Sequence, residues 1–290
     1  MVNKNFLKMA ERQKNSSLSN ERIVTSIKNT NSPDLPTESF IMSYDGIHGN
    51  YFQELIAKLN KVYSGTGAEI PAGTSGEVKK MYSIKRMALV STIANNPSLQ
   101  SQRLYPITPI QHELLLKVGK LPDSNKSFYE DFYWEDLALL LYDTTGNNSQ
   151  EAQALKESII QHRTDLGLSQ SDLESRLVIV NAGGEVDLSM PHKVKPIIIP
   201  GITQVYIHEV LDKTGENHKF EYGLDRGLPT VSKIGNGSRT LYMPNETCDV
   251  GLRVLCRFGD SDLYAWKTHL DNFISDGRVT FAPQVQISKK

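Results

Sequence analysis

From Lys195 to Ile287 apolar residues tend to return at every second position, the period of a strand with one buried face. Six runs read this way: "KPIIIPG" (195–201), "TQVYIHEVL" (203–211), "HKFEYGL" (218–224), "RTLYMP" (239–244), "LRVLCRF" (252–258) and "RVTFAPQVQI" (278–287). In "LRVLCRF", Leu252, Val254, Cys256 and Phe258 alternate with Arg253, Leu255 and Arg257. Strands must meet their backbone partners on other strands, so this half is expected to form an antiparallel sheet or sandwich. "LDKTGENHKFEY" (211–222) predicts a hairpin with Thr214-Gly215 near its tip. "DLYAWKTHLDNF" (262–273) reads as a helical interruption, with Leu263, Trp266, Leu270 and Phe273 on one side.

Before residue 190 the period is mostly that of helices. "NYFQELIAKLNKVY" (50–63) places Phe52, Leu55, Ile56, Leu59 and Val62 on one face. "EVKKMYSIKRMALVSTIA" (77–94) predicts a second helix. "TPIQHELLLKVGK" (108–120) predicts a third, with Thr108 at its N-cap, Pro109 at its first position and Gln111 completing a capping box. "DLALLLYD" (136–143) fits either a buried strand or a helix end. "NSQEAQALKESIIQHRTDLG" (148–167) reads as a helix with Ala152, Leu155, Ile159 and Leu166 inward, closed by Gly167. "RLVIVNAGG" (176–184) reads as a buried strand. Strand, helix and strand from 136 to 182 fit one βαβ unit. The expected fold is α+β: a helix-rich N-terminal half with a βαβ unit, then an antiparallel β-rich C-terminal half. The expected divisions are a polar, weakly ordered arm over 1–38, a helix-rich α/β region over 39–189 and a β-rich region over 190–290.

Thirty-two Lys plus Arg against 33 Asp plus Glu leave a net charge of −1, so no overall field draws the chain to nucleic acid or an anionic membrane. No run of ~18 apolar residues predicts a transmembrane helix. The first twenty residues carry no apolar signal core, so the expected site of residence is the cytoplasm where the chain is made, with export by a route without a cleaved signal left open. Two cysteines, Cys248 and Cys256, make no disulfide framework and read as reduced thiols.

Several short stretches resemble known motifs. "SYDGIHGN" (43–50) is similar to the first motif of calcineurin-like phosphoesterases, which implies a divalent metal held by Asp45 and His48 ahead of a helix. Here the two residues are three apart rather than two, and the family's later motifs are missing, although "DRG" occurs at Asp225–Gly227. "IIQHRTDLGLSQSDLESRL" (159–177) resembles the first two helices of repressor-type helix-turn-helix domains, but the recognition-helix position holds the β-branched run "VIVNAGG". That run in turn resembles the "VNAAN" signature of macrodomains, which implies phosphate approached by a glycine backbone. "FGDSDLYAW" (258–266) resembles the metal-binding DxD of glycosyltransferases through Asp260 and Asp262.

No motif completes itself. The expected function is therefore a binding or interaction protein with a protein partner, no membrane, no nucleic acid and no cofactor. Self-association through the polar arm stays open. The alternative is a hydrolase. Its metal-dependent form would use Asp45, His48 and Asp143 with a divalent cation. Its nucleophilic form would use Cys248, in the loop "PNETCDVG", with His192 and Asp187.

Overall fold

The computed structural model describes residues 24–25, 40–41, 49–70, 82–118, 134–142, 148–213, 215–221, 225–244, 251–258, 262–267, 270, 279 and 281–283. Its helices are α1 (Gly49–Val62), α2 (Ser83–Ala94), α3 (Pro97–Gln100), α4 (Pro109–Val118), α5 (Gln150–Gln161) and α6 (Arg163–Leu166), with 3-10 turns at Ser171–Glu174, Glu209–Asp212 and Val231–Lys233. The strands are β1 (Val24–Thr25), β2 (Phe40–Ile41), β3 (Leu104–Pro106), β4 (Trp134–Leu141), β5 (Leu177–Val180), β6 (Gly183–Val186), β7 (Val194–Ile197), β8 (Gln204–Ile207), β9 (His218–Phe220), β10 (Arg239–Tyr242), β11 (Leu252–Phe258), β12 (Asp262–Lys267) and β13 (Phe281–Pro283). The fold mixes helix and sheet, as the two periods predict.

Seven strands form one sheet in the order β8-β5-β4-β11-β12-β10-β9. All neighbours are antiparallel except β10 and β12. The strands come from both sides of residue 190, and β4 and β11 pair along their whole lengths. Short pairs β1-β2, β3-β13 and β6-β7 lie outside this sheet. Of the first fifty residues only 24–25, 40–41 and 49–50 are described, so the expected helix-rich N-terminal half is not shown as such.

Both faces of the sheet are covered. One carries Leu139, Leu141, Leu177, Ile179, Leu252 and Val254 against α1, α2, α5 and the β6-β7 pair. The other carries Leu140, Val178, Leu241, Leu255 and Leu263 with Ile107, Val210 and Leu228. Leu252 and Val254 in one layer and Leu255 in the other follow the alternation read in "LRVLCRF". A register shift in β4 leaves Leu137 unpaired between Asp136, opposite Cys256, and Ala138, opposite Leu255.

Four readings are corrected. β4 and β5 are adjacent and antiparallel, so α5 is an excursion onto β7 and not the crossover of a βαβ unit. Residues 262–267 form strand β12, not a helix, because β11 and β10 flank them on both sides. Among the described residues of 211–222 no hairpin forms: β9 pairs with β10, and Gly215 N donates to Pro244 O at 3.1 Å, while Thr214 lies outside the described residues. In α1 the buried stripe ends on Tyr63 rather than Val62, which is 59 % exposed.

Candidate functional site

Helix α2 is buried on every side from Ser83 to Ile93, including Lys85 and Arg86. Such a helix must satisfy its polar side chains internally. Arg86 does so by spanning three elements. Its Nη1 donates to Asp136 O at 2.5 Å. Its Nη2 is shared among Ile107 O at 2.8 Å, Asn181 Oδ1 at 3.2 Å and Leu137 O at 3.3 Å. Ser83 Oγ donates to Asp136 Oδ2 at 2.6 Å. Burial lowers the Arg86 pKa to about 10 against the raising pull of Glu135 and Asp136, so it is charged at neutral pH. Ser83, Arg86, Asp136 and Asn181 line a cavity of about 10 Å³, the space of one water. Asn181 has φ +52°, an αL conformation that asparagine tolerates better than most residues.

α2 packs closely on the β6-β7 pair because β6 opens with two glycines. A Cβ on Gly184 would lie 2.7 Å from Val194 Cγ1 and 3.2 Å from Met87 Cβ; one on Gly183 would meet Ser91 Oγ at 2.7 Å. Gly184 N donates to Ser91 Oγ at 2.8 Å, and Tyr63 Oη donates to Gly184 O. The Gly-Gly pair that resembled a phosphate-approach turn is filled by a helix.

Helix α4 starts with the predicted reciprocal cap: Thr108 N donates to Gln111 Oε1 at 3.0 Å and Gln111 N to Thr108 Oγ1 at 3.3 Å. That sets His112 and Glu113 against the second face of the sheet. Glu113 takes both guanidinium nitrogens of Arg239, at 2.6 and 2.7 Å. Burial alone would raise the Glu113 carboxyl, but this fork and nearby His112 hold it down at about 2. His112 is fully buried, and neither ring nitrogen has a hydrogen-bond partner. At 3.7 Å its approach to Glu113 is electrostatic only. Burial depresses it to about 4, so it is neutral at pH 7. Glu135 and Arg257, both fully buried, stand opposite each other across β4 and β11.

Of the six residues singled out from the sequence, Asp45, His48, Asp143 and Cys248 lie outside the described residues. Asp187 and His192 share the turn between β6 and β7 but do different work. Asp187 Oδ1 accepts from Ser189 N at 2.9 Å and Ser189 Oγ at 2.6 Å, and these bonds lower its pKa. His192 Nε2 lies 3.7 Å from Glu151 Oε1, in the first turn of α5. Glu151 is buried, and that oxygen accepts no hydrogen bond.

The remaining motifs are structural at their described positions. Asp225–Gly227 form a tight turn with φ +48° at Arg226 and +85° at Gly227, seated on the backbone of Pro109 and Ile110. Asp225 Oδ2 lies 3.6 Å from His208 Nε2, while His208 Nδ1 accepts from Val210 N. Asp262 Oδ1 accepts from Thr240 N at 2.6 Å, tying β12 to β10. The recognition-helix position of the repressor-like stretch is buried strand β5. Among the described residues, no three His, Cys, Asp or Glu gather as a metal site, and no helix is long and apolar enough to cross a membrane.

No family model matches the chain, and neither the curated proteins nor the solved structures contain a match to it.

Proposed function

We propose that this chain is a binding protein that works through its surface with a protein partner. The observation that supports this reading most is the use made of the buried ionisable groups. Arg86 joins α2 to β4 and to the entry of α4, and the Arg239–Glu113 fork joins α4 to β10. Groups engaged in this way are braces; a general base or nucleophile must instead keep an atom within reach of substrate. A near-neutral charge also favours a protein partner over a polyanion. The test is affinity capture of the tagged chain, followed by recombination of the purified components. A defined complex that re-forms supports the reading; components that never recombine contradict it.

A second reading, a Cys/His hydrolase, draws on one specific arrangement. His192 approaches buried Glu151, and Asn148, three residues before Glu151, lies against Gly251. Tyr142 N donates to Gly251 O at 2.8 Å. This reading takes the turn that carries His192 and the segments that carry Asp143 and Cys248 to converge at the start of α5. Thiol labelling of Cys248 near neutral pH, with turnover lost in both Cys248→Ala and His192→Ala, would favour this reading. Unlabelled Cys248 and unchanged turnover in both variants would remove it.

A further inference from the structure

At the end of β4, on the sheet face that carries α4, two buried side-chain polar atoms of the described residues have no hydrogen-bond partner. Tyr142 follows Leu141 and packs in the same layer as Leu140. Its hydroxyl is buried and has no hydrogen-bond partner. Arg253 stands opposite Leu140 on β11, one step diagonally from Tyr142. It is 2 % exposed; its Nη1 donates to Leu252 O at 2.7 Å, but its Nε has no acceptor. On the other flank, Arg176 precedes Leu177, the partner of Leu141, and its guanidinium lies 5.3 Å from the centre of the Tyr142 ring. Arg176 donates to Leu211 O and approaches Asp212 at 3.9 Å, with a third of its side chain exposed.

Buried polar groups in folded proteins are nearly always matched, so an unmatched hydroxyl and an unmatched Nε–H on adjacent strands call for an acceptor. Among the described residues the charge of these side chains points the same way, with the guanidinium groups of Arg253 and Arg176 against the Asp212 carboxylate that Arg176 already faces. Partly exposed Arg176 and exposed Asp212 leave a side open to solvent.

We propose that Tyr142, Arg253 and Arg176 form a binding site for a small oxyanion, a phosphate or carboxylate group. Its oxygens accept from the Tyr142 hydroxyl and Arg253 Nε, and Arg176 supplies charge from the solvent side. This proposal is independent of the protein-binding reading above and stands or falls separately.

The probes are inorganic phosphate and acetate, each titrated into the full chain by calorimetry against chloride at equal ionic strength. Tyr142→Phe keeps the ring and removes one donor; Arg176→Gln keeps the stem and removes the charge. Both spare the buried Arg253, so both are expected to fold. The expected result is saturable binding of phosphate, acetate or both, weakened about tenfold in each variant. Binding of acetate alone assigns the site to carboxylates, and binding of phosphate alone to phosphoryl groups. No saturable binding of either anion overturns the proposal. So does unaltered affinity in Tyr142→Phe, because attraction by an exposed arginine would then account for the binding.

Discussion

Arginine at alternate positions of a strand ordinarily marks its solvated face. Arg253 and Arg257 sit at such positions in β11 and are buried, because α4 and the residues around Asp225–Ile234 form a second layer over that face. The alternation itself was legible; the cover was not, since it arrives from segments far away in the chain. His112 is the most consequential residue of that layer. Its folded pKa of about 4 lies below the ordinary 6.5, so the unfolded chain binds a proton that the folded one refuses. The resulting stability is fully present above pH 6.5 and is lost as pH falls toward 4. Glu113, at about 2 against an ordinary 4.5, extends the loss below that window. Urea unfolding at pH 7 and pH 4.5 should show a fall of about 2 kcal/mol. His112→Phe should flatten the slope between pH 6.5 and 4.5, and an unchanged slope would assign the loss elsewhere.

At the scale of elements, local signals predicted what local interactions decide. The Thr108–Gln111 box and the stop at Gly167, with φ +72°, are short-range features and appear as read. Ala152, Leu155 and Ile159 of the expected stripe are inside, but the helix read over 148–167 breaks at His162 into α5 and α6, and Leu166 is only partly buried. "DLYAWK" fits both periods over so short a run, and only its neighbours β10 and β11 decide for a strand. The role of Gly183-Gly184 was likewise hidden, because the helix that fills it lies ninety residues earlier in the chain. Gly184→Ala should force α2 away from β6 and cost about 1–3 kcal/mol by chemical denaturation. Gly201→Ala bears on a different term: a Cβ there meets nothing within 4 Å, but φ is +77°. Its cost should be about 1 kcal/mol, from backbone strain alone. Equal losses at Gly184 and Gly201 would deny the close approach of α2.

For the whole molecule, the sheet order carries the most weight. β4 and β5, from before residue 190, are flanked by β11 and β8 from after it. A fragment ending at residue 189 would leave strands with buried faces and no neighbours. It should show no cooperative thermal transition, whereas an independent melt would establish the expected division at 189 as a domain boundary. The candidate site was the least legible feature at any scale. Asp187 and His192 were found as residue types in one short loop, but nothing local announced that His192 faces Glu151 while Asp187 holds Ser189. The Tyr142, Arg253 and Arg176 row had no sequence signal, because its members come from three strand ends.

The central claim is that the interior braces a platform whose surface engages another protein. Sedimentation velocity tests it most directly, on the purified 32.5 kDa chain alone and mixed with whichever protein affinity capture recovers with it. The account predicts a faster boundary of fixed stoichiometry in the mixture, retained in Cys248→Ala and His192→Ala. Two unchanged boundaries, each at the rate of its separate component, would contradict it.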